Sequence, residues 1–305
     1  MENNQTSWKP LFWILGISSV FFIFFVIGSF AFFSQGLKGK SKLAQKSLFK
    51  KEGVGLLEIN GVIMDSKKTL KTIEKFEDSP EVKAIVVRIN SPGGAVAPSQ
   101  EIYEALKKSA KPVVVSMSNV AASGGYYVAM AAKKVFANPG TITGSIGVIM
   151  EFANLEKLYE WAKIKRYVIK TGKYKDAGAE FREMAADERQ LLQSMVDDVL
   201  LQFKTAVADG RKLSMDDVTK VADGRIFSGA QAKEAKLVDE LGTLDDAIMS
   251  AGKMANISGK PKVFLDEKKK SFIEMLEEQA NQSEEESSSL LDVFGKMATR
   301  PIIIF

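Results

Sequence analysis

Apolar positions in this chain follow three different rhythms. From Leu11 to Phe33 they run without a charge, dominated by Phe, Ile, Val and Leu, and a helix of that length spans roughly 35 Å at about 1.5 Å per residue. This predicts one transmembrane helix, 11–33, behind an N-terminal tail, 1–10. Ser29 and Ala31 form a faint small-residue cleavage signal, but Phe32 and Phe33 continue the apolar run past it. An uncleaved anchor is therefore expected rather than a removed leader. Residues 34–52 are polar and Lys-rich and read as a stalk. From Gly53 the pattern becomes short β-branched runs separated by segments with helical spacing, and beyond residue 265 it turns polar and acidic.

The middle region, 53–265, reads as one α/β domain. Val54–Ile59 and Val82–Ile89 are strands, and the Ala84–Val87 run has no polar alternation, which implies burial on both faces. Helices are expected over Ser66–Phe76, Pro98–Lys108, Leu155–Ala162, Asp187–Ala208 and Thr243–Met254. Leu192, Met195, Val199 and Phe203 mark the apolar side of the long one. Further strands are expected at Val113–Val115, Val135–Ala137, Thr141–Met150 with interruptions at Gly144, Ser145 and Gly147, Arg166–Ile169 and Lys262–Leu265, with a polar loop over Thr171–Gly178. Strands alternating with helices at this spacing imply β-α-β crossovers and a mostly parallel sheet, whose ligands sit at the carboxyl ends of the strands. Glu284–Ser289 is a charged, serine-rich run expected to be disordered within an acidic tail, 266–305, that ends in the apolar peptide Pro301–Phe305.

Two glycine turns fall at such strand ends: Ser91-Pro92-Gly93-Gly94, and Ala121-Ala122-Ser123-Gly124-Gly125. The second reads as strand, tight bend, helix. At such a bend a hydroxyl stands clear of its neighbours, glycines admit a substrate carbonyl, and the first N–H groups of the helix favour negative charge.

Composition narrows the chemistry sharply. Among 305 residues there is no histidine and no cysteine. That excludes Ser-His-Asp and Cys-His catalysis, disulfides, and zinc sites built on imidazole or thiolate. If Ser123 is a nucleophile, its base is a Lys, Asp or Glu. A lysine stripped of water is the best of these, because burial disfavours the ammonium form. Lys163, Lys165, Lys170, Lys173 and Lys175 crowd one region, and spacing does not choose among them. The net charge of +4 is too small for a chain of this length to argue for nucleic acid.

The motifs SPGG at Ser91–Gly94, NVAASGGYY at Asn119–Tyr127, GTITGSIGVI at Gly140–Ile149, GKYKDAG at Gly172–Gly178, and GRIFSGAQA followed by LVDELG together resemble the signal peptide peptidase SppA family. These are membrane-anchored Ser/Lys peptidases with a Clp/crotonase-like fold, a β-α-β superhelix. The resemblance covers about Gly53–Ala251. It implies that Ser123 is the nucleophile, Lys175 the general base and Ser145 a hydroxyl that orients the lysine, with backbone N–H groups of Gly94 and Gly124 forming the oxyanion hole. Asp176 is expected to point away from Lys175, since a carboxylate partner would stabilise the ammonium form. No cofactor is implied. One departure is visible: the family's Gly-Leu-Val-Asp reads Lys236-Leu237-Val238-Asp239 here.

The resemblance further implies a homo-oligomer with active sites shared between copies, peptide substrates that include signal-peptide remnants, and a single-pass protein of the cytoplasmic membrane with its catalytic domain outside. The charge pattern argues for the opposite side, since Lys38, Lys40, Lys42, Lys46, Lys50 and Lys51 all follow the span. Two other readings of the same sequence are an acyl-CoA hydratase or isomerase of the crotonase kind and a membrane scaffold without activity. The terminal Pro301–Phe305 is an expected ligand of the core, the membrane surface or the chain's own groove.

Overall fold

A computed structural model describes residues 52–266; the expected anchor, stalk, acidic tail and apolar terminus lie outside the described residues. Among the described residues no helix is long and apolar enough to cross a membrane.

Every second residue of a strand faces the same way, so the β-branched runs of this chain build a sheet with two apolar faces. In chain order the elements are β1 (Gly53–Asn60), α1 (Lys67–Asp78), β2 (Val82–Ser91), α2 (Val96–Lys107), β3 (Val113–Ala122), α3 (Gly124–Ala129), β4 (Lys134–Ala137), β5 (Ile142–Gly144), α4 (Glu156–Trp161), α5 (Ala186–Arg211), α6 (Met215–Val221), β6 (Ile226–Ser228), α7 (Gly229–Glu234), β7 (Glu240–Leu241), α8 (Leu244–Met254) and β8 (Lys262–Leu265). The strand order is β6-β5-β3-β2-β1-β8, with β4 beside the first half of β3 and β7 beyond β4. All pairings are parallel except β5 with β6.

Ile85, Val87, Ile89, Val113, Val115 and Met117 face α1, α2, α3 and α5 through Phe76, Ile102, Leu106, Tyr126 and Phe203. Ala84, Val86, Val114 and Phe136 face α8 through Ala247, Ile248 and Ala251. The Ala84–Val87 run is wholly buried, as its lack of alternation implies.

Three expectations need correction. The strand expected over Thr141–Met150 is broken at Gly144 and Ser145 as its sequence implies, but there it ends rather than pauses, because both residues turn to positive φ (77° and 51°) and leave the ladder. Arg166–Ile169 joins no strand, and Tyr167 and Ile169 stand in solvent. In α5 the predicted apolar side is buried only at its C-terminal half, where Phe203, Ala206 and Val207 reach the core; Met195 is exposed because the N-terminal half of the helix runs past the core's edge.

Candidate active site

β3 extends to Ala122 and α3 starts at Gly124, so Ser123 is the single residue in which the chain changes direction. It does so at φ 54° and ψ −122°, a region that side-chain-bearing residues avoid. Both its backbone groups are committed. Its N–H donates to the Gly144 carbonyl at 2.9 Å, and its carbonyl accepts from the Tyr127 N–H at 2.8 Å. The hydroxyl is what remains. Ser123 is 3% exposed, and its Oγ has no hydrogen-bond partner among the described residues. A buried hydroxyl left without a partner costs about 1–3 kcal/mol and is rare in folded proteins.

The two glycine turns meet at this point. A side chain on Gly93 would collide with the Gly124 nitrogen at 2.6 Å and Ser123 Cβ at 2.8 Å, and one on Gly124 would lie 3.2 Å from the Gly94 nitrogen. Contact this close needs glycine on both sides. The first turn is itself clasped by Ile63, whose N–H donates to the Gly93 carbonyl at 2.8 Å and whose carbonyl accepts from the Ala95 N–H at 2.7 Å. At the head of α3 the Gly124 N–H has no intrahelical acceptor, and neither it nor the Gly94 N–H has a backbone acceptor among the described residues. Two N–H groups beside one unpartnered hydroxyl form an arrangement suited to a developing oxyanion. Ser145 enters through the same contact, since it follows Gly144 directly and is held by its own N–H to the Arg225 carbonyl at 2.8 Å.

Lys175 lies elsewhere in kind. It is exposed, on the loop between Gly172 and Gly178, and within one copy of the chain it makes no hydrogen bond or ion pair among the described residues. The structure therefore brings together Ser123, Gly94, Gly124 and Ser145 and does not join Lys175 to Ser123 Oγ. Asp176 does point away from it, receiving Lys170 Nζ and both Nε and Nη2 of Arg182. Arg182 also grips the buried Glu188 with two nitrogens, at 2.9 and 2.5 Å. The Arg182 guanidinium, and after it the Lys170 ammonium, hold the Asp176 carboxyl down at about 2. Among the described residues no cluster of acidic groups is arranged to hold a metal.

Sequence reasoning missed Ile63, whose role is a backbone pairing that any residue type supplies. It also missed Arg182 and Glu188. Asp176, Arg182 and Glu188 alternate in sign every six residues, but that spacing matches no single element.

An α/β protein with a parallel sheet, a strained serine between strand and helix, and paired glycine N–H groups beside it has the architecture of a hydrolase built for acyl transfer. Comparison with known proteins makes this specific. The family model Peptidase family S49 matches residues 105–258, and the Clp protease model matches residues 46–143. "Putative protease slr0021" of Synechocystis sp. is 45% identical over 208 residues, 67% of this chain and 75% of the relative. "Serine protease SPPA, chloroplastic" of Arabidopsis thaliana is 38% identical over 214 residues, 69% of this chain and 32% of the relative. "Protease 4" of Salmonella typhi is 34% identical over 216 residues, 67% of this chain and 35% of the relative. The chain thus spans about a third of the two longer relatives. It belongs to peptidase family S49.

Proposed function

We propose that this chain is a membrane-anchored serine endopeptidase working through a Ser/Lys pair. The observation that carries the reading is the buried, unpartnered hydroxyl of Ser123 held at positive φ beside the Gly94 and Gly124 N–H groups. Ser123 Oγ attacks the scissile carbonyl carbon while its proton passes to the neutral Lys175 amine, and the carbonyl oxygen becomes an oxyanion received by the two N–H groups. The tetrahedral species then collapses: the C–N bond breaks and the lysine ammonium returns the proton to the leaving amine. Water, deprotonated by the same amine, cleaves the resulting ester. Ser145 steadies the amine in both halves.

Because Lys175 is exposed and apart from Ser123 Oγ in one copy, its desolvation and approach come from a second copy. The segment that carries it supports this. Ile149, Trp161, Tyr167 and Ile169 are 61%, 81%, 86% and 103% exposed, more apolar surface in one stretch than a chain exposed to water on all sides normally shows. The anchor at residues 11–33 would hold the enzyme at the cytoplasmic membrane, where signal-peptide remnants are the substrate class at hand. The catalytic domain would stand outside, against the bias of the lysines after the span.

The test is a serine-reactive phosphonate probe with peptide mapping, followed by mixing. Label on Ser123, lost in Ser123→Ala, supports the nucleophile. Ser123→Ala and Lys175→Ala chains are each expected to be inactive alone and to regain peptide hydrolysis when co-assembled. Full activity in Lys175→Ala by itself ends the Ser/Lys reading.

A further inference from the structure

We propose that Arg182 is a positioning residue of this peptidase: together with Lys170 and Glu188 it closes a charge-neutral cluster around Asp176, and so prevents a carboxylate from becoming the counter-ion of Lys175. The inference rests on the reading of Lys175 as the base.

The charged groups of the Lys175 loop and the segments bound to it are engaged in ion pairs, except Glu183, which takes an amide, and Lys175 itself. In the loop itself, Lys170 and Asp176 form an ion pair, and Lys173 pairs with Asp187 of α5 while lying over the Tyr174 ring. From the segment after the loop, Arg182 binds the Asp176 side chain and, at 3.1 Å, the Asp176 carbonyl. Glu183 receives the Asn154 amide, and Glu180 pairs with Arg166. From α5, Glu188 takes both ends of the guanidinium. Lys170, Lys173 and Arg182 are thus matched by Asp176, Asp187 and Glu188, and Lys175 is the unmatched charge.

The cluster is anchored rather than adrift. Glu188 is 3% exposed and sits in the first turn of α5, where its carboxylate accepts from the Ala185 N–H at 3.0 Å; a helix start favours negative charge there. From that fixed point the order of constraint runs through Arg182 to Asp176, the residue adjoining Lys175. The guanidinium fork suits this task because it binds a carboxylate at two points while its other face engages a second one. A carboxylate within about 4–6 Å of an amine favours the ammonium form by up to about 1–3 pK units, and an ammonium cannot accept the serine proton.

Removing the Arg182 charge leaves Lys170, Asp176 and Glu188 with one negative charge in excess beside Lys175. In Arg182→Gln the acidic limb of the kcat/KM profile against a peptide substrate is expected to move up by about one pH unit, a loss of about tenfold on that limb. Arg182→Gln with Asp176→Asn restores neutrality and is expected to return the limb to its original place. Arg182→Lys, which keeps the charge, is expected to leave the limb where it is. A limb unmoved in Arg182→Gln, or a shift that Asp176→Asn does not reverse, overturns the proposal. If Arg182→Gln does not fold, Asp176→Asn with Lys170→Gln decides, because it removes the carboxylate and keeps the cluster neutral: an unmoved limb supports the proposal, and a limb lowered by about a unit shows that Asp176 already pairs with Lys175 and refutes it. All measurements use the full chain. Failure of the Lys175 reading shows differently, as activity retained in Lys175→Ala.

Discussion

The N–H of Ser123 donates to the carbonyl of Gly144 at 2.9 Å. This one bond ties the bend after β3 to the end of β5, the residue before Ser145. Because the Ser123 carbonyl is held by Tyr127 as well, the residue cannot relax from its positive φ without releasing both the strand and the helix.

That strain is expected to be measurable. At φ 54° and ψ −122° a non-glycine residue costs about 1–3 kcal/mol, and the orphan hydroxyl adds about 1–3 kcal/mol, while glycine returns about 0.5–1 kcal/mol in backbone entropy. Ser123→Gly is therefore expected to abolish peptide hydrolysis and to raise unfolding stability by about 1–5 kcal/mol in denaturant titration. A variant less stable than the parent would show that the bend is unstrained.

Gly94 has no such freedom. A Cβ there would lie 2.2 Å from the Ile63 carbonyl oxygen and 2.6 Å from its nitrogen, both backbone atoms that cannot rotate away. Gly94→Ala is expected to push the turn from Ile63 and misplace its N–H, with kcat reduced about 100-fold, the scale of one lost oxyanion donor. Gly61, at φ 73° with nothing within 4 Å, is the control. Gly61→Ala is expected to cost only about 1–2 kcal/mol of stability and to keep kcat. Equal losses in the two variants would remove Gly94 from the site.

Lys236, where the family's Gly is replaced, adopts φ 60° just after α7. This is the left-handed position that commonly closes a helix and that glycine occupies at least cost. What the position supplies is backbone, since its carbonyl accepts from Arg211 Nε at 3.0 Å. Lys236→Gly is expected to keep that bond, leave activity unchanged and gain about 1 kcal/mol, read as a shift in denaturation midpoint.

Acid should loosen the Lys175 loop before the core. The Arg182 guanidinium holds Asp176 at about 2, and it holds Glu188 below the ordinary carboxylate range, helped by the Ala185 N–H. Folded values below the unfolded ones mean that this stabilisation is complete above the ordinary carboxylate range and is lost as pH falls toward about 2. Amide exchange over residues 174–188 is expected to accelerate in that window while β2 and β3 stay protected. In Arg182→Gln the same segment is expected to exchange fast already at neutral pH, and equal protection in the two proteins would argue against the ion cluster.

Local sequence by itself determined the long central strands β1, β2 and the start of β3, most helices, and the two glycine turns at strand ends, because β-branched runs, apolar spacing and missing side chains act within a few residues. The absence of histidine and cysteine likewise fixed, before any coordinates, which bases are possible. Tertiary structure alone decided that Ile63 clasps the Gly94 turn, that Gly144 pins Ser123, that half of α5 leaves the core, and that Arg182 rather than Lys175 receives Asp176. Those are contacts between segments far apart in sequence or unequal in reach, and no periodicity in the chain encodes which of several nearby charges will meet.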